Sequence, residues 1–394
     1  MSVSRAEQYP YDLVVGGGLL VDPGRSAPVR GDVAVRDGRI EAVVTPGSAD
    51  DRCARFFDAR GLLVAPGLVD LHTHVYDGRT GLGTGADAVG VAAGVTTLVD
   101  AGSAGSDSFA HFAETVVASS DTRVLSWLNV SRHGLTRGTR ELAGSDDVHP
   151  AATVRTILGA PDTVRGVKVR MSRSVLGDNG LEPLRAAKRI TAEVAAATGR
   201  PLPVMVHVGN APPALGDVLD LLGPGDIVTH AFHGKPGGLF PDTEEPLPQA
   251  LAALRRGVRL DVGHGSASFA FDTMERALAA GIRPHTISTD IHRENVPGPV
   301  HSLTTTMTKL LAVGLTLNET VRATTSAPAE SLGLAGELGT LDAGSAADLT
   351  VLDRVGSAIE LVDAEGATRT SPWLLAPVAA IRAGVVHAIR KAST

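Results

Sequence analysis

Four apolar runs in this 394-residue chain each end on a side chain that can bind a metal, and a fifth carries a lysine. His72 and His74 lie in LVDLHTHV, His207 in PVMVHVG, His230 in DIVTHAF, Asp290 in TISTDIH and Lys168 in GVKVRMS. A polar, glycine-containing loop follows each run. Strand side chains alternate faces with period two, so His72 and His74 project the same way. Two imidazoles so placed can hold one cation, and Asp290 can add a hard oxygen ligand. His207 and His230 would supply a second metal. A single His-x-His is weak evidence, but a parallel barrel gathers all its strand C-termini at one mouth, where active sites of that architecture sit. The chemistry such a set supports is metal-assisted hydrolysis.

Positioning these residues needs a particular order of elements. Residues 11 to 65 read as short β-strands (DLVVGG, GLLVD, GDVAVRDGRIEAVV and GLLVAPG) separated by Gly, Pro and Asp turns. The run DLVVGGG is not a dinucleotide-binding loop: after Gly16 and Gly18 the third glycine position is Val21, and VDPG turns instead of opening a helix. A β-hairpin is expected there.

From Pro66 to residue 335 the pattern becomes strand, loop, helix, repeated. Strands are predicted at 68–75, 96–102, 123–131, 165–172, 203–209, 226–232, 259–265 and 286–292. Ala-rich amphipathic segments such as LEPLRAAKRITAEVAAATG and FDTMERALAAG lie between them, each closed by a glycine suited to a helix C-terminus. Such alternation over about 270 residues predicts a (β/α)8 TIM barrel, typically about 250 residues long. An open doubly wound sheet would not gather ligands from its first, fifth, sixth and eighth strands. After residue 335 β character returns in GTLDAGSAADLTVLD, AIELVDAEGATRT and VAAIRAGVVHAI. These strands are expected to pair with the N-terminal ones in a small β-sandwich. The expected units are thus 1–65 and 336–394 for the sandwich and 66–335 for the barrel.

Composition narrows the partners. Hydrophobic residues at 43% and charged residues at 20% suit a globular chain with a large core. A net charge of -7 without a long basic block argues against a nucleic-acid surface. One cysteine, Cys53, allows no intramolecular disulfide and fits a reducing compartment. The start MSVSRAEQYPYDL lacks an apolar signal core, and no apolar stretch is long enough to span a bilayer. A cytoplasmic protein with no membrane partner is expected.

Lys168 is the odd member of the set. As an ammonium, with an ordinary pKa near ~10.4, it has no lone pair to give a metal. Reaction of its neutral amine with carbon dioxide would make an anionic, two-oxygen carbamate. A lysine on the rim that contacts a substrate carboxylate is an equal alternative on the residues alone.

Taken together, GLVDLHTHVYDG, GVTTLVDAGSAG, GVKVRMS, MVHVG, THAFHGK and STDIH resemble the amidohydrolase superfamily of binuclear metallohydrolases. The branch most similar is that of deacetylase-type metallohydrolases, relatives of dihydroorotase and D-aminoacylase. The resemblance covers nearly the whole chain. It implies that His72, His74 and Asp290 bind one divalent ion and His207 and His230 the other. Carbamylated Lys168 would bridge them, and zinc is the common metal. Two cations roughly 3.5–4 Å apart can share a water and lower its pKa from 15.7 towards ~7. Asp290 would take the proton of this bridging hydroxide as it attacks a carbonyl, then pass it to the leaving group.

Three further residues are candidates for reading the substrate. Arg170 shares a strand face with Lys168, one step nearer the loop, where it can grip a carboxylate bidentately or form a rim ion pair. His264 ends the seventh predicted strand in DVGHGSASF, and His133 follows the third. Asp70, one pleat below His72, is placed either to orient a ligand imidazole or to lie in a core layer. The expected substrate is a small N-acyl amino acid or O-acyl hydroxy acid. Cyclic amide hydrolysis of the hydantoinase or dihydroorotase type is the alternative. Dihydroorotases carry an Arg two residues after the second His, where this chain has Tyr76, so that reading loses its anchor. An inactive scaffold would be expected to have lost ligands, and this chain keeps all six. The family resemblance also implies a homo-oligomer.

Overall fold

The computed structural model describes residues 9–241 and 244–389. Residues 1–8 and 390–394, which the predicted end segments include, lie outside the described residues. Five strands open the chain: β1 (Leu13–Leu20), β2 (Val29–Arg36), β3 (Arg39–Val44), β4 (Phe56–Asp58) and β5 (Leu63–Pro66). Seven follow in the middle: β6 (Leu68–Thr73), β7 (Val95–Ala101), β8 (Arg123–Asn129), β9 (Val164–Met171), β10 (Val204–Val208), β11 (Ile227–Thr229) and β12 (Arg259–Leu260). Five close it: β13 (Leu349–Val355), β14 (Ile359–Val362), β15 (Thr368–Ser371), β16 (Leu374–Arg382) and β17 (Val385–Ala388).

The two chain ends share one sheet, ordered β17-β16-β13-β5-β1-β2-β3, with β4 against β1. The junction is β5 with β13, antiparallel, pairing Ala65 with Thr350 and Val64 with Val351. Alternate residues of both halves (Leu13, Val15, Val33, Val35, Leu349, Val351, Ala379 and Ile381) meet in one buried cluster. That is period-two burial, and each such aliphatic side chain contributes about 1.5–3 kcal/mol when fully buried. Two details depart from the sequence reading. DLVVGG and GLLVD form one strand, because a bulge between Val15 and Gly18 absorbs the glycines without ending the ladder. AIELVDAEGATRT does not join the sheet; among the described residues β14 and β15 pair only with each other.

The middle strands form a parallel sheet in strict chain order, β12 to β6. β6 and β7 are buried along their whole length, as expected for strands covered on both faces. The sheet is curled, because residues 286–291 bond to both of its edges. Val262 and His264 donate to the Thr286 and Ser288 carbonyls, while Asp290 N donates to His72 O at 2.7 Å and His74 N to Ile291 O at 2.9 Å. The predicted eighth strand is therefore a run of isolated bridges. Its ladder breaks where Asp290 takes a left-handed φ of 52° and Thr289 turns its hydroxyl onto Asp70. Helices pack outside this sheet. Glu182–Thr198 buries Leu184, Ala187, Ile190 and Val194 along one face and ends on Gly199 in the left-handed region. Among the described residues no helix is long and apolar enough to cross a membrane.

Candidate active site

The side chains singled out in the sequence converge at the C-terminal ends of the parallel strands. His72 Nε2 lies 3.2 Å and His74 Nε2 3.1 Å from Asp290 Oδ1, and His230 Nε2 lies 3.9 Å from Asp290 Oδ2. Lys168 Nζ is 3.0 Å from His72 Nε2. The His207 ring stands edge-on to that of His230, with centroids 4.4 Å apart. One atom each from His72, His230 and Asp290 lie within 4.8 Å of one another, a spacing that suits a metal ion.

Three of the imidazoles are held from behind. His72 Nδ1 bonds Thr229 Oγ1 at 2.8 Å, His74 Nδ1 bonds Ser103 Oγ at 2.9 Å, and His230 Nδ1 donates to the Gly263 carbonyl at 2.6 Å. Buried carboxylates brace the surroundings of those hydroxyls: Asp100 accepts from the backbone amides of Ser103 and Val75, and Asp261 from the hydroxyls of Ser288, Thr286 and Thr229. Each ring thus points Nε2 inward, the arrangement outer partners impose on metal-binding histidines. His230 Nε2 is buried with no hydrogen-bond partner among the described residues. A buried cluster of nitrogen lone pairs around a carboxylate, with one lysine as donor, is a set whose charge and hydrogen-bonding needs a cation answers. Asp70 does not touch an imidazole. It accepts from Thr289 N, Thr289 Oγ1 and His72 N, so it ties β6 to the segment carrying Asp290.

The electrostatics match the geometry. Burial raises the Asp290 carboxyl, but His72, His74 and His230 outweigh it and hold it well below the usual carboxylate range. Burial lowers Lys168 to about 7 against the opposing pull of Asp290, so a neutral amine is accessible near neutrality. Burial likewise holds His230 at about 3, as a neutral ligand requires. His230 and Asp290 both sit at positive φ, 63° and 52°, the local backbone strain that functional sites accumulate.

The proposed substrate readers fare differently. Arg170 neighbours His207 across the β9–β10 register, but its Nη1 already bonds the fully buried Glu141 carboxylate at 3.1 and 3.3 Å. His133 sits near Asp107, Nδ1 to Oδ2 at 3.4 Å. His264 is fully buried with both ring nitrogens engaged, Nδ1 on Gly265 O and Nε2 on Lys309 Nζ. Tyr76 is a core residue: it packs on Phe112 and bonds His111, so it offers the mouth nothing. Sequence reasoning passed over Ser103, Thr229, Glu141 and Lys309. The only local trace was GHG at 263–265, where both glycines are left-handed. A Cβ on Gly263 would fall 2.2 Å from Thr229 Oγ1, and one on Gly265 2.7 Å from Asp290 Oδ2.

Comparison with known proteins identifies the chain's relatives. Residues 268–386 match the model of the amidohydrolase family. A deacetylase of Enterococcus faecalis is 36% identical, over 96% of this chain and 99% of the relative. One of Agrobacterium fabrum is 39% identical over 84% of this chain and 80% of its own length. A crystal structure of an adenine deaminase, 34% identical, superposes with a TM-score of 0.88 over 96% of this chain and all of that one.

Proposed function

This chain belongs to the amidohydrolase superfamily, in its deacetylase branch, and from that premise we propose that it hydrolyses the amide or ester bond of a small acylated acid at a two-metal centre. The observation that carries the reading is the convergence of His72, His74 and His230 Nε2 on Asp290, each with Nδ1 tied off behind it. The scaffold reads as an eightfold barrel over 66–335, with 1–65 and 336–394 forming a β-sandwich.

The donor set fits divalent ions such as zinc: neutral imidazoles, one carboxylate, and a lysine whose amine can be neutral. His72, His74 and Asp290 would hold one ion and His207 and His230 the other. Lys168 would bridge them after its amine attacks carbon dioxide, forming an N–C bond and releasing a proton. The chemistry supplied by bound ions is polarisation of the substrate carbonyl and acidification of a water. Asp290 takes the proton at a carboxylate oxygen and delivers it to the leaving nitrogen or oxygen. Arg170 meets the substrate carboxylate with the guanidinium edge that Glu141 leaves open, and His133 is a further candidate contact for the substrate.

The test is a substrate panel: N-acetyl amino acids of both hands, O-acetyl hydroxy acids, dihydroorotate, hydantoins and adenine. Turnover confined to acylated acids is expected. Turnover confined to the rings, or to adenine, would overturn the assignment.

A further inference from the structure

Lys309, on the helix Leu303–Ala312, is 1% exposed. Its Nζ donates to Pro299 O at 2.6 Å and to His264 Nε2 at 2.8 Å, two neutral partners. A buried lysine amine is expensive to keep in either protonation state, and a methionine would fill the same space. Pro299 lies in the loop after Asp290, and His264 in the turn after β12. One amine therefore clamps the two loops that flank the catalytic carboxylate.

The tautomer of His264 follows from its neighbours. Gly265 O can only accept, so Nδ1 at 2.9 Å carries the proton and Nε2 is left as acceptor for Lys309. Either side of His264 stand glycines at φ 49° and 55°, the residue type that loses most freedom on ordering. Gly263 O receives the His230 Nδ1 proton, and Gly265 packs so near Asp290 that no Cβ fits. The turn contacts two site residues, His230 and Asp290, through a backbone of high intrinsic freedom.

We propose that Lys309 is a positioning residue, which, through His264, locks the Gly263–Gly265 turn and so fixes the aim of His230 and the packing around Asp290. His264 is then the link in this clamp and not a substrate contact. The proposal rests on the hydrolase reading above for its kinetic consequences, but not for its geometry.

Lys309→Met tests it, beside Ile157→Ala, a buried change in the helix Pro150–Gly159 that lowers stability away from the site. Four quantities are read: melting temperature, kcat, KM, and the rate at which a chelator strips metal. Loss of an outer partner typically costs about 10–100-fold in metal affinity or activity. Lys309→Met should therefore lower kcat about 10-fold or more and speed metal loss similarly, with KM little changed. Ile157→Ala should move only the melting temperature. Wild-type kcat and metal loss in Lys309→Met, or changes no larger than those of Ile157→Ala, would overturn the clamp. Should Lys309→Met not fold, nitrogen-15 NMR of wild-type His264 decides: the Nδ1–H form is expected, and an Nε2–H form refutes the proposal. A wild type without metal or turnover would sink the hydrolase reading, while the tautomer still judges the clamp.

Discussion

Arg170→Met perturbs two things at once, and the structure separates them. Glu141 has a fully buried side chain, and Arg170, 17% exposed, is its cationic partner. Removing one member of a buried pair costs about 3–5 kcal/mol, because the other charge is orphaned. The residual exposure of Arg170 argues for the lower end, about 3 kcal/mol. Unfolding entropy near ~2.1 cal/mol/K per residue gives about 0.8 kcal/mol/K for 394 residues, so the melting temperature should fall by about 4 °C. Burial already raises the Glu141 pKa, with Arg170 opposing it. Without Arg170 the folded value climbs further above the unfolded one, so the folded state holds its proton more tightly. The deficit should therefore shrink as pH falls towards the ordinary Glu range and grow as pH rises. Adding Glu141→Gln should restore most of the stability, since the orphaned charge is gone. It should not restore substrate binding. Loss of a charge-assisted pair worth about 1.5–3 kcal/mol raises KM for an acid substrate by roughly 10–150-fold, and leaves a neutral amide analogue unaffected. Thermal melts of the single and double variants, with KM for the acid and amide substrates, check both halves. An unchanged melting temperature together with an unchanged KM would refute the reasoning.

Asp290→Asn should lower kcat by at least ~10²–10⁴, the range of a positioned general base, in steady-state assays with metal supplied. Thr229→Val removes the hydroxyl behind His72 and should weaken metal binding about 10–100-fold in a chelator titration, with the fold intact by circular dichroism. Gly265→Ala places a Cβ at left-handed φ and against Asp290, so stability should drop by at least ~1–2 kcal/mol in urea unfolding and kcat should fall with it.

The candidate ligands were legible because strand chemistry is local. Period two put His72 and His74 on one face, and the apolar runs before His207 and His230 marked strand ends, while Lys168 lies inside β9. The union of both chain ends was legible for the same reason, since unpaired strands at each end need partners. What orients the ligands was not. Ser103 lies 29 residues from His74 and Thr229 157 from His72, and nothing near either serine or threonine signals the partner. Glu141 sits in a loop whose burial depends on how it folds over Arg170. Lys309 occupies the last turn of its helix, where a lysine is ordinarily solvated and complements the dipole; here it is buried, with Nζ on Pro299 O and His264 Nε2. Residues 286–292 read as a strand, yet Asp290 departs from extended geometry to face the imidazoles.

The most direct measurement is elemental analysis of the purified protein after growth with zinc and manganese. Close to two divalent ions per chain are expected in the wild type. His207→Ala should lower this towards one, and Lys168→Ala should bind metal poorly yet recover in part when short carboxylic acids are added. Wild-type protein free of metal, or Lys168→Ala with both ions and full activity, would contradict a two-metal centre bridged by Lys168.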